Sequence, residues 1–329
     1  MIKVAIVGAT GLVGSTFLKV LEEKNLPIDR YTLLASEKSK GKKVKFMNKE
    51  YIIEELTEDS FNNNSFDFAL FSAGGKVSEK YAPIAAKNNC IVIDNSSTFR
   101  MKENVPLVVP EVNPEKIFDN NGIIANPNCS TIQAVIPLKT LHDNYKIKRI
   151  IYSTYQAVSG AGIKGIADLE ESNNWKEPKK FPYPIYNNCL PHIDVFMENG
   201  YTKEEMKMIE ETKKILDDYS LQITATTARV PVKNCHCESI NVEFEEEFSL
   251  DELKQYLNNT DGLVVLDDIE KQIYPLPSFA DGKDEVFVGR IRRDYSVKSG
   301  INMWVVADNV RKGAATNAVQ ILEKLINKK

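Results

Sequence analysis

The side chains with chemistry to offer are few and far apart. Cys129 stands in Asn126-Pro127-Asn128-Cys129-Ser130-Thr131, after an apolar run that reads as a strand (Gly122-Ile123-Ile124-Ala125) and before one that reads as a helix from Ile132. Unpaired N–H groups and a partial positive charge at a helix start favour a thiolate, pulling the thiol pKa below its usual value of about 8.5, so the position suits a nucleophile. The competing reading is a small buried hydrophobe. Of the three histidines, His236 is the one flanked by polar and cationic residues, in Val232-Lys233-Asn234-Cys235-His236-Cys237-Glu238. Imidazole is the acid or base that a cysteine nucleophile needs near neutral pH, although lone histidines are often structural; His142 and His192 are weaker candidates. Gln156, at a strand end before Ser159-Gly160-Ala161-Gly162, offers an amide that can orient a carbonyl, or simply precedes a turn. Glu204 and Lys207 share a helix face at i,i+3, a spacing that commonly just solvates a surface. Cys235 and Cys237 lack metal-ligand spacing, and no metal is expected.

Elements able to position these groups are legible around them. The run Lys3-Val4-Ala5-Ile6-Val7 enters Gly8-Ala9-Thr10-Gly11-Leu12-Val13-Gly14, after which Leu12, Val13, Phe17, Leu18 and Leu21 recur at helical spacing. Strand, glycine turn and helix form the context in which backbone N–H groups and a helix dipole meet a pyrophosphate, although the spacing is GxxGxxG rather than GxGxxG. The next strand, Tyr31 through Ala35, ends at Ser36-Glu37-Lys38-Ser39. Hydroxyls and a cation there favour the 2′-phosphate of NADP, and Glu37 dissents. Further strands are expected at 68–71, 91–93, 107–109 and 122–125, with a helix at 78–87. Alternation of strand and helix implies a parallel sheet, whose carboxyl-end loops include Ser72-Ala73-Gly74-Gly75, the segment through Arg100, and the Cys129 loop. Pro137 is expected to interrupt the helix after Cys129.

Beyond residue 145 the pattern turns to longer β-rich stretches at 147–157, 222–230 and 239–248, suiting an antiparallel sheet in a second domain. The polar, proline-bearing stretch 173–184 reads as an excursion or dimer arm, and 269–289 as a loop. A last strand at 302–307 leads into a helix with Ala314, Ala318, Ile321, Leu322 and Leu325 on one face.

Composition narrows the function classes. With 329 residues, 43% apolar and 27% charged, the chain reads as a two-domain globular protein. A net charge of -4 without a basic block argues against nucleic-acid or membrane binding. Five scattered cysteines do not form a secreted disulfide framework, so a cytoplasmic setting is expected.

Taken together the motifs resemble one family over essentially the whole chain: GATGLVG, ASEKSKGK, FSAGG, DNSSTFRM, VPEVN, NPNCST, TYQAVSGAG, EEMKMIEETKKIL, ARVPV before a histidine, and DNVRKGAATNAVQI are similar to aspartate-semialdehyde dehydrogenases. The resemblance implies an α/β fold with an N-terminal Rossmann-like NADP-binding domain on a parallel sheet (1–127 and 309–329). It also implies an α+β catalytic and dimerisation domain with a mostly antiparallel sheet (128–308). It makes Cys129 the nucleophile, His236 the acid/base, Gln156 the residue orienting the acyl intermediate, and Arg229 the clamp for the substrate α-carboxylate. Glu204 would face the amino group, Asn128 would sit beside the nucleophile, and Arg100 and Lys207 would hold phosphate. Gly8, Thr10, Gly11, Leu12, Val13, Gly14, Ser36, Lys38, Ser39, Ser72, Ser159, Gly160 and Asn309 become cofactor contacts, though many relatives carry arginine where this chain has Lys38. The implied reaction interconverts L-4-aspartyl phosphate and aspartate 4-semialdehyde through a Cys129 thioester, with NADP and phosphate, in lysine, threonine and methionine biosynthesis. A homodimer or homotetramer is implied. Alternatives are an N-acetyl-glutamyl-phosphate reductase, which typically has glycine before the cysteine and an aromatic after it where this chain has Asn128 and Ser130, and a non-catalytic NADP-binding regulator.

Overall fold

The computed structural model describes residues 1–172 and 177–328; positions 173–176, where the expected excursion begins, lie outside the described residues. The chain forms two compact units, Met1–Asn128 with Ala314–Lys329, and Cys129–Gly313. The chain returns to the first unit after Gly313, later than the expected boundary at 308/309. Among the described residues no helix is long and apolar enough to cross a membrane.

The first unit is built on β1 (Lys3–Val7), β2 (Arg30–Ala35), a separate hairpin of β3 (Lys43–Phe46) and β4 (Lys49–Ile52), then β5 (Glu54–Glu55), β6 (Phe68–Phe71), β7 (Ile91–Asp94) and β8 (Ile123–Ala125). Its sheet runs β5-β2-β1-β6-β7-β8, with every pair parallel. Val4 to Val7 are fully buried, which is why β1 reads as an unbroken apolar run: a parallel sheet is covered on both faces. Helices α1 (Leu12–Lys24) and α2 (Gly75–Lys87) follow β1 and β6. The C-terminal helix Asn317–Lys328 presses Ala318, Ile321, Leu322 and Leu325 into the same core. The strand expected at 107–109 is not one. Only Leu107 makes a bridge, to Ala125, because Pro106 and Pro110 bracket the run and the Asn113 side chain takes the Val109 N–H and the Leu107 carbonyl.

In the second unit β9 (Ile147–Gln156), β10 (Gln222–Arg229), β11 (His236–Phe244), β12 (Leu263–Val265), β13 (Val286–Arg293) and β14 (Gly300–Ala307) form a sheet ordered β10-β9-β11-β14-β13-β12. The sheet is mixed: the central pairs are antiparallel and both edge pairs, β10 with β9 and β12 with β13, are parallel. Helices α3 (Cys129–Tyr145) and α5 (Lys203–Leu216) pack on one face, and α4 (Ile163–Ser172) and α6 (Leu250–Asn258) complete the described long helices. Contrary to expectation, α3 runs unbroken through Pro137, so only the one ladder bond that proline cannot donate is forgone. β11 begins at His236, earlier than the polarity of His-Cys-Glu suggests, because Glu238 points inward and is fully buried. β13 takes the last residues of the expected 269–289 loop.

Candidate active site

Register in the second sheet assembles the polar groups. The parallel pairing of β10 with β9 sets Arg229 beside Gln156, and the β9–β11 register that pairs Cys237 with Tyr155 places His236 next along the same row. Cys129, the first residue of α3, brings its Sγ to 3.2 Å from His236 Nε2. The Ala157 N–H donates to His236 Nδ1 at 3.0 Å, so a neutral ring carries its proton on Nε2 and aims it at the sulfur. Gln133, one turn into α3, donates to the His236 carbonyl and ties helix to strand. Arg229 donates from Nη1 to the Ala157 carbonyl at 2.6 Å. Two glycines make the crowding possible. A Cβ on Gly160 would lie 2.8 Å from Arg229 Nη1 and 3.3 Å from His236 Nε2, and one on Gly313 would lie 2.9 Å from the Cys129 Cβ.

Helix α5 delivers the acid. A capping box between Thr202 and Glu205 fixes its start, which turns Glu204 toward the sheet. The Gln156 amide donates to Thr154 Oγ1 and Glu204 Oε1, both at 3.3 Å, and Lys207 bridges Glu204 at 3.1 Å and Asp194 at 2.7 Å. The Glu204–Lys207 pair therefore joins a buried carboxylate to a half-buried ammonium rather than standing as a solvated surface pair. Burial holds the His236 pKa well below the ordinary histidine value, and the Arg229 cation pushes the same way. Burial also lowers Arg229, with Glu204 and Cys129 opposing it. For Lys207 burial is likewise the largest influence and lowers its pKa, yet Glu204 and Asp194 outweigh it and the ammonium ends above the usual lysine range.

In the first unit a cavity of about 530 Å³ opens at the carboxyl ends of β1, β2 and β6, lined among others by Gly8, Thr10, Gly11, Ser36, Glu37 and Ser72. Gly8 has φ +87°, and a Cβ there would meet the Ala73 N at 2.9 Å; one on Gly14 would meet the Gly8 carbonyl at 2.0 Å. No side chain caps α1 at Gly11, so the first-turn N–H groups face outward for an anion. These features fit a dinucleotide pyrophosphate.

Residues 3–120 match the model described as semialdehyde dehydrogenase, NAD binding domain, and residues 138–312 the one described as semialdehyde dehydrogenase, dimerisation domain. An aspartate-semialdehyde dehydrogenase of Aquifex aeolicus is 56% identical, over 98% of this chain and 98% of the relative. This chain belongs to the aspartate-semialdehyde dehydrogenase family. The crystal structure of aspartate semialdehyde dehydrogenase II from Vibrio cholerae, complexed with ASA, is similar at TM-score 0.96 and 48% identity, covering 99% of this chain and 98% of that one. A Candida albicans aspartate semialdehyde dehydrogenase solved with NADP gives TM-score 0.77 at 26% identity, covering 99% and 98%.

Within this dehydrogenase chain the residues singled out from sequence fall into three groups. Cys129, His236, Gln156, Arg229, Glu204 and Lys207 are brought together in the second unit. Ser159 and Asn309 bond to each other there at 3.0 Å, and Asn309 Oδ1 also accepts the Cys235 N–H. Gly8, Thr10, Gly11, Ser36 and Ser72 line the cavity of the first unit; Leu12, Val13, Gly14 and Lys38 do not, and Ser39 is buried within 3.5 Å of the Thr10 hydroxyl. Arg100 is buried in the first unit, donating to the Asn126 and Asn95 carbonyls, and Asn128 is buried at that unit's end. His142 faces Asp218 and His192 stacks on Phe196. Sequence reading passed over Thr154, Asp194 and Gly313. The first is an unremarkable strand residue and the second comes from a loop, so neither carried a local signal. Cys235 and Cys237 sit in an apolar cluster with Phe287 and Val306, where burial raises both thiols, Cys237 to about 12.

Proposed function

We propose that the chain interconverts L-4-aspartyl phosphate and L-aspartate 4-semialdehyde plus phosphate, using NADP, in the cytoplasmic synthesis of aspartate-derived amino acids. The observation that carries this reading is the Cys129 Sγ to His236 Nε2 distance of 3.2 Å, in a site that also holds a buried guanidinium, an amide and a carboxylate. As the thiolate, Cys129 adds its sulfur to the aldehyde carbon while the carbonyl π pair moves to oxygen, and the oxyanion so formed accepts a hydrogen bond from the His236 Nε2–H, the ring nitrogen that Ala157 leaves as donor. NADP, when bound, would supply the hydride acceptor, and Cys129 would be left carrying a thioester. Gln156 orients the acyl oxygen, and Arg229 takes the α-carboxylate with its planar fork. Glu204 takes the α-ammonium, and Asn128 flanks the nucleophile. Arg100 in the first unit and Lys207 in the second are the cations proposed for the phosphate that would cleave the thioester. The cavity of the first unit would hold the cofactor, with Ser36, Lys38 and Ser39 the residues proposed for the 2′-phosphate; in the second unit Ser159, Gly160 and Asn309 are proposed as nicotinamide contacts.

A homodimer is supported by the match to a dimerisation domain and by the second sheet itself. On its face away from α3 and α5 it leaves Tyr155 exposed beside a half-buried Trp304. The testing experiment follows NADPH absorbance with aspartate semialdehyde, with and without phosphate, and with NAD replacing NADP. Phosphate-dependent NADPH formation is the expected result. Its absence with aspartate semialdehyde, or equal kcat/KM for NAD and NADP, defeats the corresponding part of the reading.

A further inference from the structure

Directly beneath the row of Arg229, Gln156 and His236 lies a second row on the same face of the sheet: Thr227 of β10, Thr154 of β9 and Glu238 of β11, joined by the pairings Thr227 with Thr154 and Glu238 with Thr154. Glu238 is 0% exposed, and neither carboxyl oxygen has a hydrogen-bond partner among the described residues; the Thr227 hydroxyl has none either. Its neighbour along β14 is Val305, which offers nothing polar. A sealed carboxyl without a donor is among the costliest groups to bury, and one kept in a native interior calls for a reason. Here the reason lies one residue pair away. Thr154, across the strand from Glu238, receives the Gln156 amide, and Gln156 in turn holds Glu204.

We propose that Glu238 is a positioning residue for the reaction, a proton-bearing carboxyl that forms the polar floor under Gln156 and Glu204 and keeps the negative charge that the substrate meets confined to Glu204. The inference rests on the assignment of Gln156 and Glu204 to the substrate. The ionisable groups coupled to it are Glu204 from α5, Tyr152 from β9 and its strand neighbour Cys237, with His236 two residues back on the same strand. Among the described residues it forms no ion pair, so no cation compensates a second charge there. Burial is the chief influence on Glu238 and the Glu204 charge adds to it, both holding the proton on. A neutral acid also spares an anionic substrate a second carboxylate beneath its pocket.

The test uses the full-length enzyme with E238Q, which mimics the protonated acid in shape and charge, and E238L, which fills the space without polarity. Unfolding of wild type and E238Q is compared from about pH 5 to about pH 8. The unfolded chain releases the Glu238 proton above about 4.3 while the folded chain keeps it, so wild type loses stability relative to E238Q as pH rises. A gap that widens with pH is expected, and a constant gap overturns the proposal. Kinetically, E238L lowers kcat/KM for aspartate semialdehyde by about tenfold or more, with NADP affinity unchanged, and E238Q restores it to within about threefold. E238L turning over like wild type makes the residue mere filling and overturns the proposal, as does an E238Q that fails to restore activity. Should E238L not fold, the pH-dependent gap and the E238Q kinetics still decide. Wild type that forms no NADPH from this substrate removes the underlying assignment, whereas an active wild type with an unimpaired E238L removes only the role of Glu238.

Discussion

Gly160 lies where any side chain would collide with Arg229: a Cβ there would come within 2.8 Å of Nη1 and within 3.3 Å of the His236 ring nitrogen. The guanidinium cannot simply step aside, because the same Nη1 is held by the Ala157 carbonyl at 2.6 Å. Gly160→Ala should therefore displace the guanidinium and the ring together. Misplacement of that order is expected to lower kcat/KM by about tenfold to a hundredfold, with the far-ultraviolet spectrum unchanged. Wild-type kinetics in this variant would show that neither group needs its present position.

The thioester role proposed for Cys129 makes a sharper demand. Cys129→Ala should abolish phosphate-dependent NADPH formation while NADP binding, measured by fluorescence titration, persists, since the proposed cofactor cavity belongs to the other unit. Any residual turnover that scales with enzyme concentration removes Cys129 from the chemistry.

Because burial and Arg229 hold His236 well below the ordinary histidine value, the folded ring stays neutral as pH falls through about 6.5. The unfolded chain protonates there, so this residue makes the fold less stable as pH drops below about 6.5. Thermal unfolding should show that the wild-type loss across this window is smaller in His236→Asn. The acid limb of kcat/KM should likewise not inflect near 6.5 on account of this ring. An imidazolium signal from His236 at pH 7 in an NMR titration would contradict both expectations.

How much was legible beforehand follows from where each signal sits in the chain. β1 and the Gly8 turn were plain because a doubly covered parallel strand is continuously apolar and the glycines are compelled by contacts under 3 Å. The place of Cys129 at a helix start was legible because the strand, proline and apolar run around it are local signals. Leu107 to Val109 misled, since an apolar run says nothing of the Asn113 side chain that ties up its backbone. Pro137 misled in the other direction, because tertiary burial of α3 outweighs one missing ladder bond. The partnership of Thr154 and Asp194 with the site depends on sheet register and on a loop, neither of which leaves a periodic trace.

The five thiols should divide by burial. Cys189 is exposed and Cys129 half-buried, whereas Cys90, Cys235 and Cys237 are buried, with Cys90 and Cys237 pushed up to about 12. An aromatic disulfide reagent at pH 8 should therefore titrate Cys129 and Cys189 in the native enzyme and the other three only after unfolding. Preincubation with aspartyl phosphate should protect Cys129 alone. Rapid native labelling of Cys235 or Cys237, identified by peptide mass, would mean that the strand entering His236 opens in solution.

Arg229 offers the most direct separation of binding from chemistry. It is buried beside Glu204 and Cys129, and the Phe181 ring lies 5.9 Å from its guanidinium carbon, covering one face of the fork. Arg229→Lys keeps the charge but not the two parallel donors, and Arg229→Leu keeps neither. For a carboxylate clamp the losses should be graded. About tenfold in kcat/KM is expected for lysine, and up to about a hundredfold more for leucine, where a buried carboxylate is left without its partner. A substrate analogue lacking the α-carboxylate should be turned over equally by wild type and both variants. If the analogue instead suffers the same graded loss as the full substrate, Arg229 serves the reacting carbon rather than the carboxylate.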